Sequence, residues 1–195
     1  ITTDGGVANW YPSIITVTGA QQYLSGLIVR IPQIYSSGDL GGLDLLLQSP
    51  SGTKVILHSD IRTDNVGNFF AETNYASDGF IRPDDYVFNG GYLHPVNNGS
   101  PTDIFPAPGP GAITQPEPTL AAFYNENPNG TWRLWMVDDT LDGVYTQLFN
   151  GWNLLVQTSP TPICPHPEPP NAISVTDSTA LIAWHGNGPA VNWDI

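Results

Sequence analysis

The 195 residues carry a formal net charge of −13, from eighteen acidic side chains against five basic ones, which excludes nucleic acid and anionic membrane as electrostatic partners. Only 12% of the residues are charged and 40% are hydrophobic, with six tryptophans, so the chain can bury a sizeable core. Twenty glycines and nineteen prolines favour short strands joined by many turns.

In chain order, residues 1–11 read as a polar leading arm. The β-branched run 13–18 predicts a strand, and 24–32 predicts another in which Leu27, Val29 and Ile31 alternate with Ile28 and Arg30. A glycine-rich approach, Gly38-Asp39-Leu40-Gly41-Gly42, precedes a strand over 43–49 with Leu43, Leu45 and Leu47 on one face and Asp44, Leu46 and Gln48 on the other. Pro50-Ser51-Gly52 makes a hairpin turn, and 54–58 returns with Val55 and Leu57 on one side. Residues 60–68 read as loop and 69–80 as a short strand flanked by loop. Six prolines between positions 101 and 118 predict a long surface loop, wrapped on the body through Ile104, Phe105 and Ile113. Segment 120–124 leads into strand 131–137, with Trp132, Leu134 and Met136 opposite Arg133, Trp135 and Val137. The acidic turn Asp138-Asp139-Thr140-Leu141-Asp142-Gly143 then suggests a hairpin with strand 149–158, where Trp152, Leu154 and Val156 share a face. No helical periodicity of useful length occurs, so the expected fold class is all-β.

Six more prolines between positions 160 and 170 surround Cys164 and His166 and read as a stiff linker over 159–170. Beyond it, 172–175 and 179–184 look like strands, and 191–195 begins a third. So short a tail cannot bury a core of its own, and its strands are expected to need further chain or a neighbouring subunit. The start at Ile1, without methionine or signal sequence, suggests part of a larger exported polypeptide. No apolar run has the length of a membrane span, and the single Cys164 permits no disulfide within these residues.

Three pieces in order, GDLGGLDLLLQSPSGTKVILHSD (38–60), LAAFYNENPNGTWRLWMVDD (120–139) and GVYTQLFNGWNLLVQT (143–158), resemble the P domain that follows subtilisin-like catalytic domains in proprotein convertases. The likeness is greatest to the bacterial versions found in secreted and surface multidomain proteins. It covers residues 1–158 and implies a jelly-roll-like β-sandwich without catalytic residues of its own. The proline-rich segment 101–118, with 84–99 before it, departs from that pattern by its length. The tail over 171–195 is similar to the opening of a fibronectin type III domain, with Trp184 in the position of the core tryptophan.

Candidate chemistry is sparse. There is no Gly-x-Ser-x-Gly elbow, and His58 beside Ser59 and Asp60 reads as a polar residue at a sheet edge. His94, His166 and His185 are scattered, and with one cysteine they make no zinc pattern. The neighbouring carboxylates Asp84-Asp85 and Asp138-Asp139 do not form a glycosidase dyad, which needs two groups across a cleft. Calcium, which takes six to eight oxygens from flexible acidic loops, is the cofactor the residues allow. Its candidate ligands are Asp138, Asp139 and Asp142 in one turn and Asp39 with Asp44 around the other, although aspartates in turns also serve simply to cap them. Tyr23, Tyr35, Tyr75, Tyr86, Tyr92 and Tyr124 offer either a sugar-stacking platform or plugs for the ends of a sandwich. Asn98 and Asn129 fit the glycosylation sequon, or make Asn-Gly turns. The chain is therefore expected to be a non-catalytic, extracellular structural or adhesive module. Its expected partners are other domains of its own polypeptide, with self-association or a glycan or surface ligand as further possibilities. Accessory domain of a secreted subtilisin-like protease and calcium-dependent carbohydrate-binding module are the alternatives.

Overall fold

A computed structural model describes residues 1–163 except 4, 39, 61–68, 71–72, 77–91, 94, 98–99, 117 and 141–144, together with 171–175 and 180–183. The strands are β1 (Thr2–Thr3), β2 (Gly6–Val7), β3 (Ser13–Val17), β4 (Tyr23–Ile31), β5 (Gln33–Ser36), β6 (Leu43–Gln48), β7 (Lys54–Ser59), β8 (Phe69–Phe70) and β9 (Thr73–Ala76). They continue with β10 (Tyr92–Leu93), β11 (Val96–Asn97), β12 (Thr102–Phe105), β13 (Gly111–Thr114), β14 (Gly130–Asp138), β15 (Thr146–Phe149), β16 (Asn153–Ser159), β17 (Asn171–Val175) and β18 (Ala180–Ala183). One 3₁₀ turn, Leu120–Phe123, is capped by the Thr119 hydroxyl accepting from the Ala121 N–H. The fold is all-β.

Two layers enclose the main core. One is the sheet β11-β7-β6-β14-β2, with β3 also pairing to β14. The other layer comes in two halves, β10-β9-β4-β16 and β1-β15-β5-β8. The halves part where Pro32 separates β4 from β5 and Asn150-Gly151 separates β15 from β16. Proline cannot donate to the ladder, and Asn150 and Gly151 take φ of 60° and 70°, so both strands break at the same level. Most pairs are antiparallel, while the short pairs β9–β10 and β7–β11 are parallel.

The expected alternation is realised. Leu43, Leu45 and Leu47 from β6 and Trp132, Leu134 and Met136 from β14 meet Leu27, Val29 and Ile31 from β4 in the inter-layer core. Burial of each large apolar side chain stabilises by about 1.5–3 kcal/mol. The buried indoles keep partners: Trp132 Nε1 donates to the Pro128 carbonyl at 2.9 Å, and Trp152 Nε1 to the Ser13 hydroxyl at 3.0 Å.

Three expectations are corrected. Strands 131–137 and 149–158 do not form a hairpin. β14 pairs with β3, β2 and β6, while β15 and β16 pair with β5 and β4 in the opposite layer. Both segments carry an apolar face toward the same core, and they meet face to face across it rather than edge to edge. His58 is not at a sheet edge either, because β11 covers the far side of β7, with His58 opposite Val96. Finally, the proline-rich segment contains a hairpin, β12–β13. Its prolines at 101, 106, 108, 110 and 116 flank or cap the strands, leaving Thr102–Phe105 and Gly111–Thr114 able to pair.

Among the described residues, the tail strands β17 and β18 pair antiparallel with each other. Trp184, Trp193, Cys164, His166 and His185 lie outside the described residues.

Candidate functional site

The outer face of the six-stranded layer carries a second core. Leu46 of β6, Ile56 of β7, and Trp135 and Val137 of β14 project away from the inter-layer core and are covered by Phe105 of the β12–β13 hairpin, with Tyr11 and Ile113 packed alongside. Phe105 is 0% exposed, whereas its neighbour Ile104 is 64% exposed, so β12 turns alternate side chains in and out. Of the three contacts expected from this segment, Phe105 and Ile113 make theirs and Ile104 faces solvent.

Asp103 shares the inward face with Phe105, and this places a carboxylate between hairpin and sheet. Asp103 is 6% exposed, and its Oδ1 accepts from the Ser59 hydroxyl at 2.7 Å and its Oδ2 from the Asn97 amide at 3.0 Å. Asp44, 2% exposed on β6, belongs to the same buried neighbourhood. Burial first, and then the charge of Asp103, pushes the Asp44 carboxyl up to about 8, with Asp139 and Asp60 adding in the same direction and a hydrogen bond from Ser59 opposing. Asp103 is raised by burial and by Asp60 and Asp139, and Asp139 by burial and by Asp60. His58, buried beside this group on β7, is held neutral by desolvation, its pKa lowered to about 4.

The structure thus joins two turns that the sequence separates by nearly a hundred positions. β6 pairs with β14 so that Leu43 faces Asp138 and Asp44 faces Val137, and the Asp139 N–H donates to the Gly42 carbonyl at 2.9 Å. Gly42 is required there, since a Cβ would fall 2.2 Å from Thr140 Oγ1 and 2.8 Å from Asp138 Oδ1. Asp138 itself caps its turn, accepting from the Thr140 N–H at 3.2 Å and hydroxyl at 3.0 Å. Asp39 and Asp142 lie outside the described residues, as do Asp84 and Asp85. Among the described residues, no three of His, Cys, Asp and Glu come together closely enough to share a metal ion. Asp103, Asp60, Ser59 and Asn97 are the members that the sequence reading missed. The signal for Asp103 was its two-residue spacing from Phe105, hidden by reading 101–118 as loop.

Of the remaining candidates, Tyr86, His94 and Asn98 lie outside the described residues, while Asn129, Tyr35 and Tyr124 make structural contacts. Asn129 engages the backbone of Ala20 in both directions at 2.9 Å and so anchors the chain after β3. Tyr35, Tyr145 and Phe149 pack on one another with centroids 5.9 and 6.2 Å apart and interplanar angles of 59° and 78°, a tilted cluster rather than a flat platform. Tyr124 is buried. Among the described residues, no helix is long and apolar enough to cross a membrane.

No protein-family model matches this chain, and no curated protein matches it. Among solved structures it is similar to the serine protease of Aeromonas sobria, crystallised in complex with the chaperone ORF2, at 20% identity and a TM-score of 0.34. The match covers 80% of this chain and 22% of that one, a likeness too loose to bear on fold or activity.

Proposed function

We propose that this chain is a non-catalytic structural module of an extracellular, multidomain polypeptide, serving to space and orient the segments around it. The observation that carries this reading is how the chain leaves the sandwich. After β16, the Ile163 N–H donates to Asn125 Oδ1 at 2.7 Å, and Asn125 Nδ2 donates to the Ile163 carbonyl at 3.0 Å. Asn125 takes φ of 64°, a conformation Asn tolerates, and is held by its own N–H on the Leu24 carbonyl at 2.9 Å. The start of the proline-rich stretch is therefore clamped to the sandwich, and proline-rich chain transmits orientation over several residues. Low charged content and a near absence of lysine fit an exported protein.

Calorimetry of the parent polypeptide tests this, comparing the natural sequence with Asn125→Ala. Coupled unfolding of this module with its neighbour, uncoupled by the substitution, is expected. Independent transitions in the natural polypeptide would overturn the spacing role.

A second reading, accessory domain of a secreted subtilisin-like protease, is favoured by the three motifs of the P-domain pattern. The motifs pack together here: a Cβ at Gly130 of the Asn-Pro-Asn-Gly-Thr-Trp motif would lie 2.8 Å from Pro50 of the Ser-Pro-Ser-Gly-Thr turn. A protease domain in the same polypeptide whose thermal inactivation accelerates when this module is removed would decide for it.

A further inference from the structure

We infer that Asn150 is a site of spontaneous covalent modification, the one of the two described Asn-Gly steps that converts to aspartate and isoaspartate while the chain stays folded. This inference is independent of the spacing role.

The chain holds five Asn-Gly steps, at 89, 98, 129, 150 and 187, and those at 129 and 150 lie within the described residues. In such a step the backbone nitrogen of the glycine attacks Cγ of the asparagine side chain. The bond from Cγ to the amide nitrogen breaks, and ammonia leaves with the proton that the glycine N–H gives up. The five-membered succinimide so formed takes up one water at either of its carbonyls. It opens to aspartate or, with the main chain rerouted through the side chain, to isoaspartate. No oxidant, reductant or second protein is required. Glycine favours the attack because it has no Cβ to crowd the ring and turns freely about its backbone bonds.

At one step the structure leaves both reacting groups open. Asn150 is exposed, and among the described residues neither its amide nor the Gly151 N–H forms a hydrogen bond. It lies between the end of β15 at Phe149 and the start of β16 at Asn153, so turning its peptide breaks no ladder. A Cβ at position 151 would meet nothing within 4 Å, which leaves the ring room to close. The other step is locked. Asn129 Oδ1 accepts from the Ala20 N–H at 2.9 Å, and its Nδ2 donates to the Ala20 carbonyl at 2.9 Å and to Asn127 Oδ1 at 2.8 Å. Gly130 stands in β14 opposite Val17, and a Cβ there would lie 2.8 Å from Pro50. Reaction at Asn129 therefore waits on local opening, and reaction at Asn150 does not. The product arises at the level where the two halves of the layer part. Isoaspartate inserts one more atom into the main chain between Phe149, which faces Gln33, and Trp152, whose indole is tied to Ser13. Either product adds negative charge to a chain already at −13.

Peptide mapping by mass spectrometry on the full chain, aged at neutral to mildly alkaline pH with and without denaturant, tests this. Each step's rate in the folded chain is divided by its own rate in denaturant. On that scale the peptide holding Asn150 is expected to gain the mass of an amide-to-acid conversion at least about tenfold faster than the peptide holding Asn129, a factor that about two hydrogen bonds supply. The isoaspartate at position 150 should accept a methyl group from a protein isoaspartyl methyltransferase. Asn127→Ala, which removes one partner of the Asn129 amide, should narrow the gap. An Asn150 that stays intact in the folded chain while it converts in denaturant would overturn the inference. So would an Asn129 that converts as fast as Asn150 in the folded chain.

Discussion

The two apolar clusters of this molecule are built from the same strands, β6, β7 and β14, and differ in what holds them shut. The inner one lies between two hydrogen-bonded layers and is lined by side chains from β4, β6, β7, β14 and β15. The outer one has a hydrogen-bonded wall on one side only, and its other side is a hairpin held by side chains. The Trp132 and Trp152 indoles of the inner cluster are neutral and partnered. The border of the outer cluster is crowded with carboxylates. Equal hydrophobic chemistry is therefore enclosed by two hydrogen-bonded layers on one face, and by one layer and a side-chain-held hairpin on the other.

The largest way to break this contrast is Trp132→Ala, which empties the centre of the inner cluster and should cost about 3–5 kcal/mol of global stability by denaturant titration. Phe105→Ala removes the plug of the outer cluster. It should cost about 3 kcal/mol or less by denaturant titration, because a hairpin held by side chains can settle into the cavity, and the loss should appear first as hydrogen exchange at the hairpin. Asp44→Asn sharpens the comparison in the other direction. The natural chain should lose stability as pH rises from about 4 to about 8, where the Asp44 carboxyl titrates. The variant should lose less, since Asp103 and Asp139 are raised as well, gaining on the order of a few kcal/mol or less over the natural chain at pH 8 by thermal melts across pH. Gly42→Ala drives a methyl into Thr140 and should cost roughly 1–3 kcal/mol, with Thr140→Ala restoring most of it in a double-mutant cycle. Smallest is Gln48→Ala, which leaves the Trp135 indole without its 3.2 Å acceptor and should cost about 1 kcal/mol in the outer cluster alone.

Much of this was legible locally. Period-two alternation over 43–48 and 131–137 named the residues of both clusters correctly, because the pleat sends neighbours to opposite faces wherever a strand forms. The Pro50-Ser51-Gly52 turn joined β6 to β7 as read, with Gly52 at φ of 97°. The candidate site was half legible: Asp44, Asp138 and Asp139 were singled out, and Asp103 and Asp60 were passed over. Proline spacing misled at 101–118, since prolines forbid a ladder only at their own positions and two four-residue gaps sufficed for a hairpin.

The sequence by itself determined which residues can form strands, which face of each is apolar, and that the chain would turn often. Only the tertiary structure decided which strands pair, that the segments before and after the acidic turn stand in opposite layers, and that Asp103 is buried against Ser59 and Asn97. The physical reason is range. Side-chain alternation and turn chemistry act within a few residues, whereas pairing depends on which edges and faces remain uncovered once distant segments have packed, and no local pattern records that.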